Sequence, residues 1–416
     1  MALEIRTLTS PDELPAWFRA VSVGFLRGPE VPEEEIAARR PGIDLARTQG
    51  AYDSGRCVGT FRTMPQEMTV PGGASLPSCA VTNVTVSPTH RRRGLLTRMM
   101  SDALAAAKER GDAFSSLISA EWPIYGRYGF GPAAWTAEWE VEVARTGLDP
   151  RHSGPADGGR VDFADAEEVG RLGPALYERF RAQPHRQGVI DRPARWWQLA
   201  TGELRYPSDE SNPRFHALYR DAAGEPQGLV TYTVRERWDD KLPQNTAEVQ
   251  FLTALTPGAE RALWHFVLSI DWIARVRSGH RAPDDVLPLL LPDPRAARLE
   301  TLADFLWLRP LDVPRMLEAR SYPVQGTLVL DLHDETGLAG GRYRLEAGPD
   351  GAACKASRES ADLALDIGEL GTLFLGDESA VRLAVLGRLE EHSEGAAESA
   401  DTLFRTSRRA WCPDIF

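Results

Sequence analysis

The 416-residue sequence predicts a protein of α/β and α+β class, built from three successive regions. Two regions share one order of elements, a strand hairpin followed by a further strand and then an amphipathic helix. The third region places antiparallel strands before helices, which is typical of helices packed on one sheet. A chain of this length is expected to hold two or three domains, and we predict them at residues 1–150, 151–300 and 301–416.

Composition and charge exclude several classes of protein. The chain is 42% hydrophobic and has a formal net charge of -12. The negative charge makes it a poor general binder of nucleic acid. It has neither a long apolar run nor a basic and then apolar start, so we expect no membrane partner and no signal peptide. Four cysteines without CxxC spacing, and no HExxH motif, favour a reduced cytoplasmic protein with no metal site.

The first region opens with strand and helix signals. Residues 3–8 alternate like a strand, and Ser10 then supplies an N-cap with Glu13 at the capping-box position of a helix. A hairpin with its turn at residues 53–55 follows, and then a β-branched strand at residues 79–88.

The rest of the first region completes the α/β order. A helix runs from Leu95 to a C-capping Gly111, with apolar residues at helical spacing. Residues 113–120 read as a strand and residues 121–135 as a loop rich in glycine and tyrosine. A glycine- and proline-rich stretch at residues 145–160 predicts a linker near residue 150.

The second and third regions are predicted from the same signals. In the second, a helix and a hairpin lead to a strand and a long helix at residues 258–276. That helix lacks arginines and a glycine turn at its start, which indicates a second copy of the fold without a phosphate site. In the third, antiparallel strands meet at a turn over residues 348–351. The apolar and aromatic end, residues 408–416, is expected to be buried or docked.

A cluster of arginines opens the helix at Leu95. Arg91, Arg92 and Arg93 precede Gly94, which allows the backbone to approach a ligand closely. Unpaired amides and the helix dipole favour an anion there, and a pyrophosphate would fit. The alternative is a solvated basic turn, but the position between a strand and an amphipathic helix favours a binding site.

The basic turn resembles the acyl-coenzyme A site of the GNAT acetyltransferases, whose pattern is Arg/Gln-x-x-Gly-x-Gly/Ala. Leu96 replaces the last glycine or alanine. Joined to SAEWPIYGRYGFGPA, the stretch VSPTHRRRGLLTRMM resembles the enhanced intracellular survival (Eis) acetyltransferase family. That resemblance implies tandem GNAT-like domains, the second without a cofactor motif, then a sterol-carrier-protein-like domain. It also implies a homohexamer.

The resemblance assigns site residues one by one. Tyr125 would be the general acid, with Tyr128 as the competing tyrosine, and the terminal carboxylate of Phe416 would be the base. Position 120 is commonly serine in the family. The implied contacts to acetyl-coenzyme A are Val84, Thr85, Val86, Arg92, Arg93, Gly94, Leu95, Leu96, Thr97, Ala120 and Glu121.

The acceptor pocket is less well defined by the resemblance. The acidic run Glu33-Glu34-Glu35 lies where the family lines that pocket, although a solvated helix face is the alternative. Residues 25–28 stand where the family carries an acid, and Ile415 takes the place of a penultimate acid. Both departures disfavour a polycationic aminoglycoside.

Together these features predict an acetyl-coenzyme A-dependent N-acetyltransferase that acts on primary amines of small molecules, of aminoglycoside or polyamine type, by direct transfer. Net negative charge suits cationic acceptors. One alternative is an acetyltransferase for lysine side chains of proteins or peptides. Another is a lipid-binding protein with a vestigial acyltransferase domain, which the intact motifs disfavour.

Overall fold

The computed structural model describes residues 3–148, 155, 158–209 and 212–416. A continuous sheet of twelve strands joins the first two regions, and a sheet of five strands forms the third. The boundary predicted between residues 150 and 151 lies outside the described residues.

The first region follows the predicted order, and the capping box at Ser10 and Glu13 is present. The prediction of a loop at residues 121–135 is wrong, because this stretch contains a short helix and the start of a twelve-residue strand. The elements are β1 (Glu4–Thr7), α1 (Leu14–Gly24), α2 (Glu33–Arg39), β2 (Thr48–Asp53), β3 (Arg56–Thr69), β4 (Ser75–Val86), α3 (Leu95–Glu109), β5 (Phe114–Ile118), α4 (Trp122–Tyr125) and β6 (Gly131–Glu142).

The second region repeats the hairpin, strand and helix. The helix expected at residues 258–276 ends at Leu268, because the residues from Ile273 pair as a strand between two neighbours. The elements are β7 (Arg160–Ala164), α5 (Ala166–Arg181), α6 (Ala194–Thr201), β8 (Arg214–Arg220), β9 (Pro226–Arg235), β10 (Trp238–Asp239), β11 (Leu242–Pro243), β12 (Asn245–Ala254), α7 (Pro257–Leu268), β13 (Ile273–Arg277) and β14 (Ala297–Pro310).

Strand β14 joins the two copies. The order of the large sheet is β1-β2-β3-β4-β5-β14-β6-β13-β12-β9-β8-β7. β14 pairs antiparallel with β5 on one side and with β6 on the other. The division predicted between residues 300 and 301 therefore falls inside this strand, whose last residues pair with β5 of the first region.

The third region packs a mixed sheet against helices. The sheet order is β17-β16-β15-β18-β19. A helix of this region lies on β6, where a Cβ at Gly131 would clash with the carbonyl oxygen of Gly368. The elements are α8 (Val313–Ala319), β15 (Gly326–His333), β16 (Gly341–Gly348), β17 (Gly351–Ala356), β18 (Leu363–Asp366), α9 (Ile367–Phe374), α10 (Ala380–Val385), β19 (Leu389–Glu391) and α11 (Ala396–Phe404).

Close packing joins the third region to the large sheet. One core cluster contains side chains from β3, β5, β6 and β14 together with those of the third region. Within the residues that the structure describes, no helix is both long enough and apolar enough to cross a membrane.

Candidate functional site

The strands β4 and β5 separate at the centre of the first region. They pair in parallel only from Ser78 with Phe114 to Ala80 with Ser116, although both strands continue beyond that point. Beyond Ala80 the backbone of β4 therefore has no parallel partner on the side that faces the opening. Such an edge can pair with an extended, amide-bearing ligand.

A bulge shapes β4 beside this opening. Its register against β3 shifts between Thr60 and Arg62, and Asn83 adopts a φ of 51°. Thr85 is buried, and its hydroxyl lies 2.7 Å from that of Thr60. Val84 and Val86 point to the other face of the strand, where they pack on the core of the first region.

Helix α3 begins at the end of the same strand. Gly94 is its N-cap, with a φ of 73° and no side chain to cap the first amides. A Cβ at this position would meet no atom within 4 Å, so the start of the helix opens to solvent. The first amides of an α-helix lack partners within the helix, and here they remain available to an anion.

The predicted contacts on this turn and helix start differ in exposure. Arg91, Arg92 and Arg93 are all exposed, and Arg92 holds a left-handed φ of 62°. The side chain of Leu95 is buried, so only its backbone can meet a ligand, whereas Leu96 is half-buried. The turn thus presents backbone amides and positive charge together.

The two tyrosines of the IYGRYG stretch have different partners. Tyr128 Oη lies 3.1 Å from Thr97 Oγ1, and this contact ties the stretch to α3. Tyr125 Oη makes no hydrogen bond within the described part of the chain. Burial, reinforced by the negative charge of Glu121, raises the pKa of Tyr125 to about 12. Tyr125 therefore keeps its proton at neutral pH and holds it free for transfer.

The turn after β5 carries the remaining predicted contacts. Ala120 and Glu121 are both exposed. Just before them, Ser119 has a buried hydroxyl with no hydrogen-bond partner among the described residues. An unpaired buried hydroxyl is costly unless a ligand or water satisfies it. Sequence reasoning missed Ser119, and only its burial identifies it.

Tyr125 lies in the same core cluster as the residues around the opening. That cluster contains Val81 of β4, Leu117 of β5 and Leu95 of α3, and Val84 and Val86 pack against it. Phe416 packs instead on the core shared with the third region, as does Ile118 at the end of β5. One cluster thus contains the predicted acid and four of the predicted cofactor contacts, Val84, Val86, Leu95 and Leu96, whereas the predicted base packs on the adjoining core.

The acidic run of α2 divides between two environments. Glu33 and Glu34 are exposed, whereas Glu35 is buried. Burial alone raises its pKa, but hydrogen bonds from Ser208 and Arg39 hold the pKa of Glu35 below its ordinary value. Glu35 therefore ties the first region to the second, a role that neither sequence interpretation foresaw.

The corresponding helix start in the second region is closed. Thr256 caps α7, and its hydroxyl accepts a hydrogen bond from the Ala259 amide at 3.1 Å. Glu260 lies in the first turn and accepts one from Arg281 at 3.2 Å. A hydroxyl cap and a negatively charged residue in the first turn already occupy this end of the helix, so an anion gains little there.

A depression of about 800 Å³ lies on the sheet face formed by β6, β9, β12, β13 and β14. Its lining carries arginines and glutamates that pair with each other, such as Arg277 with Glu140 at 3.1 Å and Arg235 with Glu248 at 2.9 Å. None of its described lining residues belongs to the predicted site. No group of three or more metal-ligating side chains occurs among the described residues.

Family models match the chain in three parts. Residues 4–133 and residues 188–310 each match an acetyltransferase (GNAT) domain, and residues 313–413 match a sterol carrier protein domain. Of the relatives, an uncharacterized N-acetyltransferase of Streptomyces avermitilis is 60% identical over 97% of this chain and 96% of its own.

Two Eis proteins are similar along the full length. The N-acetyltransferase Eis of Mycobacterium tuberculosis is 33% identical over 96% of both chains. The crystal structure of Eis1 from Mycobacterium abscessus matches with a TM-score of 0.84 and 29% identity, and covers 100% of both chains. With two GNAT domains before a sterol carrier domain, the chain belongs to the Eis family of GNAT N-acetyltransferases and is an acetyltransferase that uses an acyl-coenzyme A co-substrate.

Proposed function

We propose that the protein transfers an acetyl group from acetyl-coenzyme A directly to a primary amine of a small molecule, of aminoglycoside or polyamine type. The observation that carries the proposal is the free hydroxyl of Tyr125 in the core cluster that also borders the β4–β5 opening and the start of α3. One site therefore combines an anion-binding helix start, an unpaired strand edge and a proton donor.

The residues at this site fit an acyl-coenzyme A. The uncapped amides after Gly94, with Arg92 and Arg93 beside them, would hold the pyrophosphate. The unpaired edge over Val84, Thr85 and Val86 would pair with the pantetheine amides, while Leu95, Leu96 and Thr97 supply backbone groups at the helix start. Ala120 and Glu121 border the other side, next to the unpaired hydroxyl of Ser119.

The chemistry requires two proton transfers, and the bound thioester supplies the acyl group. The amine nitrogen forms a bond to the carbonyl carbon, and the carbon–sulfur bond breaks. In our proposal the carboxylate of Phe416 accepts the proton lost by the amine, directly or through a water. Tyr125 Oη donates its proton to the departing sulfur, a role suited to a tyrosine that is protonated at neutral pH.

The acceptor assignment rests on charge. The chain has a formal net charge of -12, which attracts cationic amines. Glu33 and Glu34 add exposed carboxylates on α2, where the acceptor pocket is expected. We therefore favour small cationic amines over the lysine side chains of folded proteins. Among them, polyamines come before aminoglycosides, because residues 25–28 and Ile415 lack the acids of the family.

An acceptor screen tests the proposal. Thiol release from acetyl-coenzyme A would be followed with an aminoglycoside, with spermidine and with a peptide whose only free amine is a lysine side chain. We expect turnover with the first or second compound. Turnover with the peptide alone would favour the lysine alternative, and a protein that binds coenzyme A yet acetylates no amine would contradict the proposal.

The assembly and location of the protein follow from the family resemblance and the cysteines. We propose a homohexamer in the cytoplasm, and the four free cysteines of the structure suit a reducing compartment. Light scattering after size-exclusion chromatography would measure the mass of the assembly. A monomer at micromolar concentration would contradict the hexamer.

A further inference from the structure

The C-terminal tail, residues 408–416, lies along a strip at residues 187–192 of the second region. The Trp411 amide donates to the Gln187 carbonyl at 3.1 Å, and Gln187 Nε2 donates to the Arg408 carbonyl at 2.6 Å. The tail is thus attached by its backbone before it reaches its last residues.

The opposite edge of the strip pairs with strand β3 of the catalytic region. The Gly188 amide donates to the Thr69 carbonyl at 2.9 Å, and the Thr69 amide donates to the Val189 carbonyl at 2.9 Å. The strip therefore holds the tail on one side and the catalytic region on the other. A shift of the tail relative to the strip would change its position relative to the active site.

Trp411 fills the opening of the second region, where β12 continues past its pairing with β13. Its indole nitrogen donates to the His280 carbonyl at 3.1 Å, and its ring lies 4.9 Å from the Arg281 guanidinium carbon. The space left between these residues and β12 is about 10 Å³, roughly the volume that one water needs. The tail therefore closes the place in the second region that corresponds to the β4–β5 opening of the first.

Asp414 anchors the tail three residues later. Arg192 Nε and Nη2 donate to its two carboxylate oxygens at 3.0–3.2 Å. The Tyr177 hydroxyl, which donates to the Ile190 carbonyl at 2.7 Å, lies 3.3 Å from the same carboxylate. Only 1% of the Arg192 side chain is exposed, and its guanidinium carbon lies 3.7 Å from the ring centroid of Trp196. A two-point ion pair in this setting leaves the carboxylate of Asp414 little freedom.

We propose that Asp414, held by Arg192, is a positioning residue that places the carboxylate of Phe416 for proton transfer. The proposal rests on the proposed function, in which that carboxylate accepts the amine proton. Asp414 itself stays paired with Arg192 and acts through Phe416.

Asp414 and Phe416 are close along the chain, so the ion pair of Asp414 restricts the position of the terminal carboxylate. Two residues span at most about 7 Å, so the anchor confines the terminal carboxylate to a small volume. Ile415 between them is 67% exposed, whereas the ring of Phe416 packs on the core shared with the third region. The Asp414 pair and the packing of the Phe416 ring therefore both restrict where the carboxylate can lie.

A double-mutant cycle tests the proposal. Its two changes are Asp414→Asn and a one-glycine extension after Phe416, each measured with one acceptor at saturating acetyl-coenzyme A. Because a misplacement of about 1 Å can cost about 10²-fold in rate, we expect each change to lower kcat by about that factor. The KM for acetyl-coenzyme A should not change. Together the two changes should lower kcat little more than the extension alone.

A second variant distinguishes a loss of positioning from a loss of folding. Arg192→Met combined with Asp414→Leu replaces the buried pair with apolar side chains, a change that folded proteins often tolerate. It should fold and bind acetyl-coenzyme A but show the same loss of kcat. The matched control is Glu168→Gln, which removes the carboxylate charge of an ion pair of 2.6 Å with Arg220 in the same region, away from the tail. Its kcat should stay unchanged.

The possible failures can be told apart. Full turnover in the extended protein would reject Phe416 as the base, and the positioning role with it. Loss of kcat in the extended protein, but not in Asp414→Asn or in the paired apolar variant, would reject the positioning role alone. Fully additive effects in the cycle would also reject it.

Discussion

Helices α3 and α7 follow corresponding strands in two copies of one fold, yet they begin differently. α3 starts at Gly94, which leaves its first amides uncapped beside three exposed arginines. α7 starts at Thr256, whose hydroxyl caps the Ala259 amide, with Glu260 in the first turn. The first helix start favours an anion and the second already has a negative partner.

The strand openings beside these helices differ in the same way. The first opening, between β4 and β5, is flanked by residues of the core cluster that also contains Tyr125. The second, beside β12, is filled by Trp411 of the tail. The comparison teaches that repetition of the fold does not repeat the ligand site. In the second copy, Thr256 caps the helix start and Trp411 fills the strand opening. This part of the fold therefore supports the tail.

The largest effect should come from Tyr125, the proposed proton donor of the first copy. Tyr125→Phe removes the hydroxyl and keeps the ring, so we expect turnover to fall by about 10²–10⁴. Affinity for acetyl-coenzyme A should hold. Steady-state rates and calorimetry would measure the two quantities.

Tyr128→Phe is the matched control for the donor. It removes a hydroxyl that already pairs with Thr97, so its effect on turnover should be much smaller. Full turnover in Tyr125→Phe together with loss in Tyr128→Phe would show that Tyr128 is the donor.

The arginines at the start of α3 should control affinity. Arg92→Ala combined with Arg93→Ala removes two charges predicted to contact phosphate, each worth about 1.5–3 kcal/mol as a charged hydrogen bond. We expect coenzyme A to bind at least about tenfold more weakly, with the difference largest at low salt. Titration calorimetry at two salt concentrations would measure it, and unchanged affinity would reject the phosphate site.

The buried Tyr125 should also make stability depend on pH. Its pKa is raised from about 10 to about 12, so the folded protein retains a proton that the unfolded chain releases. The associated stability is present below about pH 10 and is lost as the pH rises toward about 12. Urea midpoints across this range should fall less steeply in Tyr125→Phe than in the unmodified protein. Equal slopes of the urea midpoint against pH in the two proteins would contradict the burial of Tyr125.

The smallest effect should come from the cap of the second copy. Thr256→Gly removes the side-chain cap of α7 and should cost a few tenths of a kcal/mol in unfolding free energy. It should create no second site for coenzyme A, because Glu260 and Trp411 remain. Thermal unfolding and calorimetry would check both statements, and new binding in this variant would show that the cap alone closes the second copy.

Local signals predicted the first region well. The capping box at Ser10 and the helix at Leu95 depend on neighbours within a few residues, and both are found in the structure. The end of α7 could not be predicted in this way. Residues from Ile273 onward fit a helical pattern, but pairing with β6 and β12 on both sides makes them a strand.

The tail shows why part of the candidate site escapes sequence reasoning. Asp414 stands among the last residues with no local partner, and Arg192 lies 222 positions away. No periodicity or motif links residues at that separation. Their contact depends on the strip at residues 187–192 lying between β3 and the tail, which only the assembled fold reveals.

The number of coenzyme A molecules bound per chain tests the central claim most directly. Calorimetric titration of the unmodified protein should give one equivalent per chain, because of the two corresponding helices α3 starts uncapped whereas α7 is capped by Thr256. The same titration of Arg92→Ala with Arg93→Ala should show that this single site is weakened. Two equivalents per chain, or one equivalent with unchanged affinity in the arginine variant, would contradict the account.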